Sequence, residues 1–240
     1  MQLVAFGAHP DDVELAAAGT LARAAEAGHA VLIADLTRGE RATAGTAEER
    51  AREALAAARV LGAVRVSLDL PDLGLDRRAA PQLAAVVGLL RRERPDLVLA
   101  PTGRDAHPDH VEGHHLVKRS VFMAGLAAYE PGAGPPHRPR LILFYPSSRE
   151  PYGRPPLVVD VSATIDQKMA ALACYASQFT RAAGGPATPL NAAGFLERVR
   201  ARAAASGIEL GLAYAEPFFP DRPLAATDPF GFLTLAEDRP

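Results

Sequence analysis

The stretch from Leu3 to Asp12 restricts the fold of this chain more than any other. Leu3-Val4-Ala5-Phe6-Gly7-Ala8 is a short apolar run and reads as a buried strand. It passes without a spacer into His9-Pro10-Asp11-Asp12, where a helical pattern begins at once. Proline suits the first turn of a helix, because its missing N–H would be unpaired there anyway. One imidazole and two carboxylates therefore gather where a strand ends and a helix begins. In open α/β sheets that edge is where ligands bind.

The pattern then repeats. A helix over 11–27, with Leu15, Ala18, Ala22 and Ala25 inward, is closed by Gly28 and followed by a strand over 30–36. The loop Thr37-Arg38-Gly39-Glu40 leads to Thr46-Ala47-Glu48-Glu49, a capping-box sequence for a helix reaching Leu61. A strand over 64–70, the loop Pro71-Asp72-Leu73-Gly74, a helix over 78–93 and a strand over 96–102 follow. Strands alternating with helices of these lengths make βαβ units and a parallel sheet. Right-handed crossovers favour the strand order 3-2-1-4, which puts the first and fourth strands side by side at the switch point. The fourth strand ends in a second corner, His107-Pro108-Asp109-His110, so the two corners become neighbours. Beyond it the sequence predicts a helix over 108–127, strands over 141–145 and 157–161, and helices over 165–178 and up to 205. The breaker-rich stretches 131–136 and 180–189 read as loops, the first as a flexible surface loop or lid, and the tail from Pro217 reads as irregular. No repeat or linker marks a second domain. The expectation is one α/β domain over 1–240, Rossmann-like, with a mostly parallel sheet flanked by helices.

A chain of 240 residues is long enough for a full core. A formal charge of −2 gives no broad electrostatic case for nucleic acid or an anionic membrane. The single cysteine, Cys174, excludes an intrachain disulfide, fits a reducing compartment and reads as a packed thiol. Met1-Gln2 leads straight into a strand without a basic n-region or long apolar segment, so a cytoplasmic protein is expected.

Dinucleotide binding at the first corner would need glycines where the backbone meets pyrophosphate, and two carboxylates there would repel it. A metal fits better. His9 and Asp12 are three residues apart at a helix start and can converge, and His110 completes a two-histidine, one-carboxylate set with positions left for water and substrate, as catalytic zinc requires. Asp11 is placed beside that water as general base. His107 remains to donate a proton to an oxyanion or leaving amine, with Asp109 holding it and favouring its charged form. Either corner alone is as readily a capped strand–helix turn; their joint occurrence at adjacent strand ends argues for a site. His29, His114, His115 and His137 have no partner pattern, Tyr214 reads as core, and 91–94 reads as a solvated helix end.

The paired motifs resemble the zinc-dependent N-acetylglucosaminyl deacetylases, the LmbE-like or PIG-L family. The resemblance extends to Thr37-Arg38-Gly39-Glu40, Arg50, Lys168-Met169, Cys174-Tyr175, Ser177-Gln178-Phe179 and Tyr214-Ala215-Glu216. It implies His9, Asp12 and His110 as ligands of Zn(2+), with Fe(2+) or another divalent metal as alternatives, Asp11 as base and His107 as the oxyanion-side acid. It also implies Glu40 on a sugar hydroxyl, Arg50 on a substrate carboxylate, and a homo-oligomer such as a hexamer. The substrate it implies is a small N-acetylglucosamine conjugate, in particular the glucosaminyl malate of bacillithiol biosynthesis. Those enzymes often carry an arginine where this chain has Ala106; Arg104 stands nearby. The rival readings are a mycothiol-type amidase, a non-haem iron oxygenase built on the same triad, and a metal- or sugar-binding module without catalysis.

Overall fold

The computed structural model describes residues 1–147 and 151–225. In chain order the elements are β1 (Gln2–Gly7), α1 (Asp12–Glu26), β2 (Ala30–Thr37), α2 (Ala47–Val60), β3 (Val64–Leu70), α3 (Ala80–Glu93), β4 (Leu97–Pro101) and α4 (Pro108–Ala124). After these come β5 (Leu141–Tyr145), β6 (Leu157–Asp160), α5 (Ile165–Ala173), α6 (Ala176–Phe179), α7 (Phe195–Gly207) and β7 (Ala215–Pro220). The sheet order is β3-β2-β1-β4-β5-β7-β6. The first five strands are parallel, and β7 runs antiparallel to both β5 and β6. The predicted 3-2-1-4 order is present, with Leu3 opposite Leu97 across the β1–β4 pair.

Continuous apolar strands are explained by helices on both faces. Leu3, Ala5, Val31, Ile33 and Leu99 pack with α1, α2 and α5 on one side. Val4, Phe6, Leu32, Ala34 and Val98 pack with α3 and α4 on the other. The sheet centre is thus rigid and dry, and the loops at its C-terminal edge carry the polar groups.

Four expectations change. The tail from Pro217 is not irregular throughout, because Ala215–Pro220 is a strand; residues 226–240 lie outside the described ones. Pro217 pairs only with β6 and Pro220 only with β5, so neither missing N–H breaks a second ladder. The helix expected over 165–178 divides at Cys174–Tyr175, where Tyr175 leaves helical geometry and its fully buried hydroxyl donates to Glu14 at 2.9 Å. The stretch 131–136 is tied to the body of the fold. A short 3₁₀ turn over Pro131–Ala133 is held by Arg91, which is buried and donates to the carbonyls of Ala124, Leu126, Glu130 and Gly134. Arg91 therefore caps the end of α4 and is not part of a solvated helix end.

Candidate active site

The corner after β1 is built under strain. Asp11 has φ 103°, a left-handed conformation that a non-glycine residue rarely adopts, and it is buried. The Asp12 carboxylate accepts from the backbone N–H of His9 at 2.9 Å, and Thr37 at the end of β2 donates from both backbone and hydroxyl to the carbonyl of Ala8. Arg50, from the first part of α2, reaches under the corner. Its Nη2 donates to the Pro10 carbonyl at 2.5 Å and lies 3.3 Å from Asp11 Oδ2, while Nη1 donates to the Gly39 carbonyl. Gly39 has φ +63°, and a Cβ there would fall 2.0 Å from Arg50 Nη1, so this approach requires glycine.

The two corners meet. His9 Nδ1 lies 3.4 Å from one oxygen of Asp12, and His110 Nε2 lies 3.2 Å from the other. His9, His107 and His110 offer ring nitrogens that all fall within 4.8 Å of one another. Each of the two imidazoles flanking Asp12 is also held from behind. Asp105 Oδ2 is 2.7 Å from His110 Nδ1, and Asp72 and Asp109 lie 3.2 and 3.4 Å from His9 Nε2. Asp109 is fixed in turn by the N–H groups of Leu73 and Leu75, and Asp72 by that of Arg41. His9, Asp72 and Asp109 form a second cluster of metal-binding type. Its carboxylates are engaged by backbone and sit behind His9, which makes them supports for the imidazole rather than an open coordination site.

The charge distribution follows. Burial alone would lower the His110 imidazole, but Asp12 and Asp105 lift it to about 10. His9 is likewise raised against burial by Asp109, Asp12 and Asp72. Asp12 is held well below its ordinary range, burial notwithstanding, chiefly by His110. These imidazoles bind protons tightly because carboxylates surround them, and the same donors and the same negative field fit a divalent cation. Asp11 differs: burial pushes it up to about 7, although Arg50 pulls it down. His107 is lowered by burial and by His9 and His110.

Asp109 departs from the expected arrangement. Its carboxylate does not hold His107; its backbone N–H does, donating to His107 Nδ1 at 3.2 Å. That contact leaves the proton of the neutral ring on Nε2. The shift of His107 is downward, through burial and the neighbouring His9 and His110, toward the neutral form rather than the charged one expected. Glu40 is also placed differently. It accepts from the N–H of Asp72 at 2.9 Å and does not line the cavity, so it braces the loop that carries Asp72. Asp72 and Asp105 are absent from the motif reading. Their one signal is position: each follows a strand at the C-terminal edge of the sheet.

A cavity of about 360 Å³ opens over this cluster. His9, Asp11, Asp12, His107, His110 and Arg50 line its floor, with Gln178 and Thr188-Pro189-Leu190 on the opposite wall. The 180–189 loop and its neighbour Leu190 therefore face the site. Lys168 and Glu216, from the matching C-terminal segments, form a buried pair at 2.6 Å that grips the middle of α1 through the Leu15 carbonyl and the N–H groups of Gly19 and Thr20.

Residues 4–121 match the PIG-L family, described as GlcNAc-PI de-N-acetylase. A 4-oxalmesaconate hydratase from Pseudomonas putida is 30% identical over 185 residues, covering 71% of each chain. The chain belongs to the PIG-L, LmbE-like family. A conserved protein of Thermus thermophilus has a crystal structure that superposes with a TM-score of 0.82, at 40% identity over 94% of this chain and 96% of that one. A 1D-myo-inositol 2-acetamido-2-deoxy-alpha-D-glucopyranoside deacetylase from Rhodococcus opacus is 28% identical, covering 77% of this chain and 84% of its own. The family match ends at Val121, so it contains both corners of this LmbE-like chain but not the wall at Gln178 and Leu190. No helix among the described residues is long and apolar enough to cross a membrane.

Proposed function

We propose that this metal-dependent N-deacetylase releases acetate from a small N-acetylglucosamine conjugate held in the cavity over His9, Asp12 and His110. The observation that carries the reading is the Asp12 carboxylate set between His9 Nδ1 and His110 Nε2, with each ring braced from behind by a carboxylate. That is the donor set of an open catalytic site, and Zn(2+) is the ion it suits best. When bound there, the metal supplies Lewis acidity toward a water and toward the amide carbonyl. The protein's own groups do the rest. Asp11 is buried beside the ligands, with a carboxyl near neutrality that accepts the proton of the attacking water. His107 presents Nε2–H to the developing oxyanion or the leaving amine, its other nitrogen fixed by the Asp109 N–H. Arg50 favours the ionised form of Asp11 and holds the corner's backbone in place. The conjugate to test first is N-acetyl-α-D-glucosaminyl L-malate, followed by a mycothiol-type conjugate. A cytoplasmic homo-oligomer completes the proposal.

The test is a free-amine assay on metal-replete protein with a panel of N-acetylglucosamine conjugates, with acetate measured in parallel. Equal amounts of amine and acetate are expected. The control reaction is hydration of an unsaturated carboxylate, prompted by the Pseudomonas relative's name. Hydration without acetate release from any conjugate would refute the deacetylase reading.

A further inference from the structure

A second cavity of about 340 Å³ lies on the far side of the β4–α4 loop and shares Thr102, Pro146 and Ser147 with the first. Its floor is aromatic: Phe144 from β5, Phe219 from β7, and Tyr152, whose ring stands 6.3 Å from Phe219 in an edge-on arrangement. Two cations face it. Lys118 Nζ sits 5.8 Å from the centroid of Phe144, and Arg104 rises from the loop that carries Asp105. Neither has an ion-pair partner among the described residues, and both are exposed. Asp221, the one acidic side chain among the described residues that line the cavity, also accepts from the Ile142 N–H at 3.4 Å. Flat apolar walls with cations at the rim suit a group that is apolar in body and anionic at its end.

We infer that this cavity is the aglycone subsite, and that it favours an apolar, planar aglycone bearing a carboxylate or phosphate over the polar malate of the first conjugate tested. The inference rests on the proposed glucosaminide chemistry. In such a substrate the acetamido nitrogen and the aglycone are on adjacent ring carbons, so an amide placed over His9 and His110 sends the aglycone into the neighbouring cavity. The shared wall at Thr102 and Pro146 is the passage. Arg50 is a poor reader of that anion, because both its Nη atoms are bonded to Pro10, Gly39 and Asp11. Arg104 and Lys118 make no such bonds among the described residues.

The experiment compares phenyl, 4-carboxyphenyl and 4-phosphophenyl N-acetylglucosaminides with wild type, Arg104→Gln and Lys118→Gln. Both side chains are exposed, so the variants keep the fold, and circular dichroism verifies it. The expected result is a kcat/KM for the anionic aryl glycosides at least about fivefold above that for the phenyl glycoside, the effect of one favourable ion pair. The preference falls in each variant while turnover of the phenyl glycoside is unchanged, and the carboxylate and phosphate arms decide which anion is favoured. Equal rates on all three substrates in wild type, or a preference that survives both substitutions, would overturn the inference. If no glycoside releases acetate, the deacetylase reading fails on its own. Calorimetric binding of 4-carboxyphenyl N-acetylglucosaminide then still tests the cavity, with a Kd raised about fivefold in Lys118→Gln expected and undiminished binding refuting it.

Discussion

Arg50 offers the sharpest test, because two readings of it predict different kinetics. In one, the guanidinium grips a carboxylate of the substrate. In the other, which the structure favours, it is a buried cation that holds Asp11 ionised from 3.3 Å and pins the Pro10 carbonyl beneath the corner. Consider Arg50→Met, which keeps much of the bulk and removes the charge. At that separation and an effective dielectric of about 20, the bare attraction would be about 5 kcal/mol. Arginine beside an aspartate usually lowers its pKa by about 1–3 units, each worth about 1.4 kcal/mol, since part of the attraction is offset by desolvation and by the other acceptors. Asp11 is useful as a base only when ionised. Losing Arg50 raises its pKa, so the acidic limb of the pH–rate profile should move to higher pH by about 1–3 units. With the wild-type midpoint at about 7, activity at pH 7 then falls by about 5- to 500-fold and recovers as the pH is raised. A bound cation lowers the midpoint in wild type and variant alike, so the difference between the two profiles isolates the Arg50 charge. The assay is kcat/KM against pH on a neutral and an anionic N-acetylglucosaminide, with metal content checked in each protein. The positioning role predicts the same shift on both substrates. An unmoved profile, with KM raised for the anionic substrate alone, would refute the argument and restore Arg50 as a substrate reader.

Other substitutions test the remaining parts. Asp11→Asn should lower kcat by about 10²–10⁴ with metal retained, as measured by turnover and elemental analysis together. Asp105→Ala removes the acceptor behind His110 Nδ1 and should weaken metal affinity by about 10- to 100-fold in a chelator competition. Arg65 pairs with Asp35 through two contacts of 2.6 and 2.7 Å and with Glu14, all of them buried. Arg65→Leu leaves both buried carboxylates without a counter-ion and should cost about 3–5 kcal/mol, read as a fall in the denaturant midpoint.

The sheet and the two corners were legible because they follow from local rules. Apolar runs of five or six residues, each followed by an amphipathic helix, allow one hand of crossover, and that hand places β1 beside β4. Adjacency of the corners therefore needed no tertiary information. The residues that complete the site were not legible in the same way. Asp72 lies 63 residues from His9 in sequence and meets it only through the register of β3 against β2 and the path of the following loop. Asp105 sits in a loop whose shape is set by its own acceptance from the His107 N–H. Arg91 and Arg65 carry the charge of surface residues, and only long-range partners explain their burial.

The misassignment of Asp109 shows where pattern reading gives way to geometry. In the sequence His107-Pro108-Asp109-His110 the carboxylate has an imidazole on either side, and proximity pairs it with one of them. But His107 is the N-cap of α4, and an N-cap side chain accepts from the backbone N–H groups of the first turn. That requirement engages the Asp109 N–H, whereas its carboxylate projects across the helix start toward the 73–75 backbone and His9. The consequence is functional. A carboxylate on His107 would have stabilised an imidazolium, whereas an N–H on Nδ1 favours a neutral ring that donates from Nε2. The carboxylate is placed instead on His9, where it orients the imidazole and makes its other nitrogen more basic, as the proposed ligand role requires. One helix cap thus gives two histidines of the same cluster different surroundings, which suit the ligand role proposed for His9 and the proton-donor role proposed for His107.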